Sequence, residues 1–370
     1  MPTVIVCGAG VFGAATARHL AREGWDVTLV EPVAAGHVRA GSGGESRLIR
    51  CSHGSDAWHS RSARRALELW REIDPALVVQ AGVAWFARRE DGWEADSERT
   101  LRELEIPCER VDPATLFPSV RSDDLAFTLF EPEAGILRAR DATRTLAVQA
   151  VAAGARVVNG AARPDGARVR VDDEVLEADH VVWACGAWLQ QLFGDVLSLR
   201  ITQQDVTFFG APAQWATPGV PGWVDYDGAY YGLGDHDGRG VKVCPDIEGP
   251  PIDVDAADRF VQPENVAAAR AYVAHRFPAL AGAPLVGTRV CQYEITPDTR
   301  FVIAPHPELP SVWLMGGGSG HGFKHGPALA ERMPGWLTGA DAPEPSFALG
   351  GRAPSSALRT AGEASAIPRS

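Results

Sequence analysis

A glycine turn set between a strand and a helix constrains this chain more than any other feature. Gly8-Ala9-Gly10-Val11-Phe12-Gly13 follows the apolar run Thr3-Val4-Ile5-Val6 and opens a helical stretch from about Gly13 to Glu23, after which Asp26-Val27-Thr28-Leu29-Val30 reads as a second strand. Glu31 closes that strand 18 residues beyond Gly13, where an acid accepts hydrogen bonds from a ribose. The first glycine permits the tight turn, the second lets the backbone approach a pyrophosphate at the positive helix end, and the third allows close helix-to-strand packing. The pattern specifies an ADP-bearing dinucleotide and leaves FAD and NAD both open.

Composition narrows the class. With 370 residues, 45% hydrophobic and 22% charged, the chain is a folded protein of about two domains and not a coiled coil or a disordered tail. Its 35 basic and 47 acidic residues sum to −12, a balance that disfavours nucleic acid and anionic lipid as partners. No stretch approaches the roughly 20 apolar residues that cross a bilayer, and the N-terminus runs straight into a strand, so a cytoplasmic location is expected. The six cysteines lack CxxC or Cys/His ligand spacing, so neither a disulfide scaffold nor a metal site is expected.

Beyond the opening unit comes a Gly/Ser/Arg loop, 37–51, then a helix near 57–75 with Ala63, Leu67 and Trp70 on one face. A mixed, proline-punctuated region runs to about 138. A helix at 142–153 and strands at 155–158 and 178–184 lead to Cys185-Gly186-Ala187-Trp188, which repeats the strand, glycine, helix logic. Short alternating strands at 201–209, 229–231 and 240–243 suggest an antiparallel sheet inserted in the α/β body. A helix near 262–276, strands near 286–293, 301–304 and 311–315, and a last helix near 327–337 complete the body. Residues 353–370 read as a mobile tail.

Four further clusters carry chemistry. In Ser46-Arg47-Leu48-Ile49-Arg50, two guanidinium groups stand three apart; on a helical turn they would share a face and grip a carboxylate or phosphate. Lys242 lies between Val241 and Val243, and by strand alternation it faces away from both, which reads as an ordinary solvent-facing lysine. Gly316-Gly317-Gly318-Ser319-Gly320-His321-Gly322-Phe323-Lys324 leaves backbone N–H groups free for an anion, and His321 reads as a hydrogen-bonded loop histidine. Cys291-Gln292-Tyr293-Glu294-Ile295-Thr296-Pro297-Asp298 is opaque alone, its cysteine reading as core.

In order and spacing these pieces, with Gly135–Leu137, Ala184–Trp188 and Tyr230-Tyr231-Gly232, resemble the monomeric sarcosine oxidase and N-methyltryptophan oxidase family of the D-amino-acid-oxidase-like flavoproteins, over roughly residues 1–338. The resemblance implies an α/β fold: a Rossmann-type FAD-binding domain with an inserted antiparallel-sheet substrate domain, both discontinuous. Residues 1–80, 139–195 and 301–340 would form the first, and 81–138 and 196–300 the second.

By the same resemblance FAD is the cofactor, bound by Gly8, Gly10, Gly13, Glu31, Ser46, Arg47, Gly318, Gly320, His321, Gly322 and Lys324, and bonded covalently through Cys291. Arg50 and Lys324 would hold a substrate carboxylate, Tyr231 would line the substrate pocket, and Lys242 would sit beneath flavin N5 and promote electron transfer to O2, against the solvent-facing reading. The implied reaction is oxidation of a secondary amine or an amino or imino acid: hydride passes to flavin N5, the imine hydrolyses and O2 becomes H2O2. A monomer acting on a small molecule is implied.

Two positions depart from the family, Gly43 and Asp246 standing where sarcosine oxidases carry histidines; an acid beside the amine argues against sarcosine and for a cationic or larger polar substrate. A flavin dehydrogenase, a multi-electron biosynthetic oxidase and a non-catalytic redox-sensing flavoprotein are the alternatives.

Overall fold

The computed structural model describes residues 1–354 and the backbone of 359–360. Of the expected tail, Arg359–Thr360 pairs in parallel with Ile247–Glu248, and most of the rest lies outside the described residues.

Strand β1 (Thr3–Cys7) is central in a six-stranded sheet. Its neighbours are β2 (Asp26–Glu31) and His180–Trp183, both parallel to it; Arg156–Asn159 flanks β2, and the antiparallel pair Leu309–Gly316 and Val302–His306 completes the other edge. Val4 and Val6 pack toward helix α1 (Val11–Arg22), while Ile5 and Cys7 pack toward a small antiparallel sheet built from residues 162–176. Both faces are therefore covered, which is why β1 reads as a continuous apolar run.

The turn behaves as its glycines require. Gly8 has φ +98°, and Gly13 packs so tightly that a Cβ there would lie 1.9 Å from the Gly8 carbonyl oxygen. Gly13→Ala is accordingly expected to destabilise the protein by at least about 1–3 kcal/mol, read as a lower Tm by differential scanning fluorimetry; an unchanged Tm would refute the packing role.

The second sheet has eight strands, in the order Leu285–Ile295, Arg200–Phe209, Val241–Pro245, Tyr230–Leu233, Gly222–Asp225, Val83–Ala87, Phe127–Glu131 and Glu109–Val111. It is antiparallel except where Gly222–Asp225 runs parallel to Val83–Ala87. One face packs on the helix Pro263–Arg276 through Ala269, Tyr272, Val273 and Phe277. The other face, carrying Tyr231 and Lys242, turns toward β3 (Ser46–Ile49) and the first sheet.

Two local expectations change and one is met. The loop 37–51 contains β3, which pairs with Gly135–Arg138, so Arg47 and Arg50 do not share a helical turn. Helix α2 (Ala57–Ile73) forms as its pattern required, capped by Asp56, whose carboxylate accepts from the His59 N–H. The last helix is interrupted: Gly326–Ala330 and Met333–Thr338 are separate, and Pro334 lies in the first turn of the second.

Candidate active site

Two cavities meet between the sheets. The first, about 540 Å³, starts at Gly8, Gly10 and Glu31 and runs past Gly186 and Gly318 to Cys291. The second, about 510 Å³, lies beyond Cys291 and is lined by Arg50, Tyr231, Lys242, Asp246 and Lys324. Arg47, Cys291, Tyr293, Gly320 and Phe323 line both and form a shared wall.

The first cavity fits a dinucleotide. A Cβ on Gly10 would meet only the Ser42 hydroxyl, at 3.4 Å, which leaves a cradle at the start of α1. Glu31 is buried; one oxygen accepts from Ala9 N at 2.8 Å and the other from Val33 N at 3.1 Å. Over this cavity the segment around Asp255 is tied down: Arg39 donates to the carbonyls of Val254 and Asp255 at 2.7 Å each, and Trp188 Nε1 donates to the Asp255 carboxylate at 2.9 Å. At the far end Gly318 and Gly322 line the cavity, and Gly320, with φ +80°, lies so near Tyr293 that a Cβ would stand 2.7 Å from its ring.

Ser46 and Gly13, expected at the cofactor, line neither cavity. Ser46 contributes its carbonyl, which accepts from Lys242 Nζ at 3.2 Å and from Arg47 at 2.8 Å. Arg47 also donates to Gly41 O at 2.6 Å and lies 3.6 Å from Cys291 Sγ, so it braces the strand that carries the thiol. His321 and Lys324 face the second cavity and not the first. His321 donates its Nε2–H to the Thr299 carbonyl at 2.9 Å, the hydrogen-bonded loop histidine expected from sequence.

Lys242 overturns the solvent-facing reading: it is 3% exposed, 5.9 Å from the Tyr231 ring centroid. The alternation held, but the second face of this sheet is covered too. Burial, and next Arg47 as the opposing cation, pull its ammonium below the usual range against Cys244, Cys291 and Glu45. Tyr231 lies opposite Cys244 on the neighbouring strand and shares the cavity with Tyr293, and burial pushes its hydroxyl well above the usual range.

Arg50 and Lys324 form a cationic end of the second cavity. Arg50 donates to the Ser52 carbonyl and stacks 4.9 Å over Trp85. Lys324 is 3% exposed, donates to the His321 carbonyl at 3.0 Å, and is held well below the usual lysine range by burial and by Arg50. Neither cation is ion-paired among the described residues. The nearby Glu131 is occupied: its two oxygens accept from Cys51 N, Ser52 N, the Ser52 hydroxyl and Trp85 Nε1 at 2.6–3.2 Å. Asp246 faces the same space, and Arg50 and Tyr231 both feel its charge.

Sequence reasoning missed several lining residues. Trp85, Trp93 and Tyr226 form an aromatic wall, with Trp85 and Trp93 centred 4.7 Å apart and Trp93 stacked on Tyr226 at 5.0 Å. No local pattern marks them, because they come from three separate segments. Glu294 was visible in the Cys291 segment without a role. It lines the first cavity, accepts from Gly318 N at 3.1 Å, and burial pushes it up to about 7. Among the described residues no His/Cys/Asp/Glu group could hold a metal, and no helix is long and apolar enough to cross a membrane.

Comparison with known proteins agrees with this geometry. The family model of FAD dependent oxidoreductases matches residues 3–333. Monomeric sarcosine oxidase from Bacillus sp. (strain B-0618) is 28% identical over 351 residues, 89% of this chain and 90% of that protein. N-methyl-L-tryptophan oxidase from Salmonella typhimurium is 26% identical over 356 residues, covering 89% and 92%. The solved structure of L-proline dehydrogenase from P. horikoshii superimposes with a TM-score of 0.81 at 20% identity, covering 94% of this chain and 96% of that one.

Proposed function

Because this chain belongs to the FAD dependent oxidoreductase family and is an FAD-dependent amine oxidase acting on CH–NH donors, we propose that it oxidises a secondary amine or an amino or imino acid to the imine, with O2 reduced to H2O2. The observation that carries this reading is the shared wall, which joins a dinucleotide cavity to a cavity ending in two unpaired cations. FAD bound in the first cavity would supply the two-electron acceptor ring at that wall.

The chain's own residues then bind and orient. Arg50 and Lys324 hold the carboxylate, and Asp246 and Tyr231 face the amine. Trp85, Trp93 and Tyr226 exclude water and leave room for a substrate larger than N-methylglycine. Lys242 fixes a positive charge where O2 is reduced. The division into a cofactor domain and a substrate domain at the boundaries given above belongs to the same reading, as do a monomeric state and O2 as acceptor. Two experiments test the core of it. A panel of N-alkyl, cyclic and aromatic amino acids is expected to bleach the flavin anaerobically and yield peroxide in air; no response to any member would count against the function.

Covalent attachment through Cys291 is proposed as well, supported by its place in the shared wall beside Arg47. Acid precipitation is expected to carry yellow colour into the pellet of the wild type and leave it in the supernatant of Cys291→Ser. Equal release from both would exclude the bond.

A further inference from the structure

The reaction above gives no task to a cluster of four histidines behind the carboxylate site, His59 and His325 buried and His53 and His321 half-buried. His53 precedes α2, His59 lies in its first turn, and His321 and His325 flank Lys324. The rings of His59, His321 and His325 pack on Phe301, and His53 closes the group: His53 to His59 is 5.2 Å between centroids, His59 to His321 5.2 Å, and His53 to His325 5.5 Å. The cluster touches both cations, since Arg50 Nη1 lies 3.1 Å from His53 Nε2 and Lys324 Nζ donates to the His321 carbonyl.

Partners fix three of the tautomers. Arginine only donates, so His53 Nε2 is the acceptor. His321 uses its Nε2–H on Thr299 O, which leaves a lone pair on Nδ1, and His59 uses its Nδ1–H on the Asp56 carboxylate at 3.0 Å, which leaves a lone pair on Nε2. His321 Nδ1 and His59 Nε2 are both buried and unpartnered, as is His325 Nε2. Vacant basic nitrogens thus stand beside a site meant for an anion.

Charge completes the argument. Glu131, with both oxygens accepting, already offsets Arg50. A carboxylate arriving in the clamp is left with Lys324 as its counter-charge, and burial beside Arg50 disfavours the charged form of that lysine, so the buried negative charge is costly unless a proton accompanies it. We propose that Lys324 and the four histidines act as one shared acceptor that takes up a proton from solvent when a carboxylate binds, with Asp56 behind His59 holding part of it on the cluster. One N–H bond forms, and nothing is oxidised.

The electrostatics of the cluster agree. Burial first, then Lys324 and Arg50, hold His53 well below the usual histidine range; burial and His59 do so for His321, and burial and Lys324 for His325. His59 is lowered by burial but raised by Asp56, which in turn pairs with Arg300 at 2.7 Å on the rim. The remaining charged or titratable neighbours are Asp246, felt by Arg50, and Cys51, whose thiol burial pushes up.

This proposal rests on the carboxylate-clamp reading, and its test separates the two. Methoxyacetate, in which an ether oxygen replaces the oxidisable nitrogen, is titrated into the FAD-loaded protein by calorimetry in phosphate and in Tris at about pH 8, with the flavin spectrum followed in parallel. The expected result is uptake of about one proton per anion, with Kd rising about tenfold per pH unit on the alkaline side. In His59→Gln, and independently in His325→Gln, uptake is expected to fall and the rise in Kd to begin at lower pH.

Binding without proton uptake by the wild type overturns the proposal and leaves the clamp standing. Uptake and pH profile unchanged in both variants assign the proton to Lys324 alone and also overturn it. If methoxyacetate neither perturbs the flavin nor evolves heat, the clamp fails first and this inference with it. The wild-type measurement needs no substitution, so a variant that does not fold leaves the test intact.

Discussion

Lys242→Met slows reoxidation of the reduced flavin by O2 by on the order of 10²–10³-fold, while anaerobic reduction by substrate changes by no more than a few-fold. The first electron given to O2 makes an anion, and a fixed cation next to the reacting ring lowers that barrier without having to be ordered at the moment of reaction. The placement of Lys242 suits the proposed role: it is 3% exposed, tethered to the Ser46 carbonyl, and held on a paired strand. Methionine keeps most of the volume and removes the charge. Stopped-flow absorbance resolves the two half-reactions separately; equal slowing of both, or of neither, would remove Lys242 from the oxygen step.

Arg50→Met is expected to weaken capture of carboxylate-bearing substrates by about 2–5 kcal/mol, or roughly 30- to 5,000-fold in kcat/KM. A secondary amine without a carboxylate should lose far less, and that contrast separates loss of an anchor from general damage. Arg50→Lys should recover little, because a point charge cannot reproduce a planar fork stacked on Trp85 and bonded to the Ser52 carbonyl. If both substrates suffer equally, the guanidinium serves the fold and not the anion.

Much of this arrangement was readable from the chain, and the failures have physical causes. The glycine turn was legible because Gly8, Gly10 and Gly13 meet local backbone demands, visible as a left-handed φ and a 1.9 Å close approach. Lys242 was misplaced by its own residues because alternation tells which two faces a strand has and not whether both are covered; only the resemblance restored it. Arg47 was assigned to the cofactor and Arg50 to the substrate carboxylate, yet their relative direction depended on β3 pairing with a strand some 90 residues away, between Ser46 and Arg138. The histidine cluster gave no signal at all. Its members are separated by more than 260 residues between His59 and His321, and they meet only because the last glycine turn docks on α2.

The wall formed by Arg47, Cys291, Tyr293, Gly320 and Phe323 has one more consequence. A flat ring lodged there would form a partition between the two cavities. With that ring bonded to Cys291 as proposed, amine and product would come and go through the second cavity alone, and a single charging event would serve every later turnover.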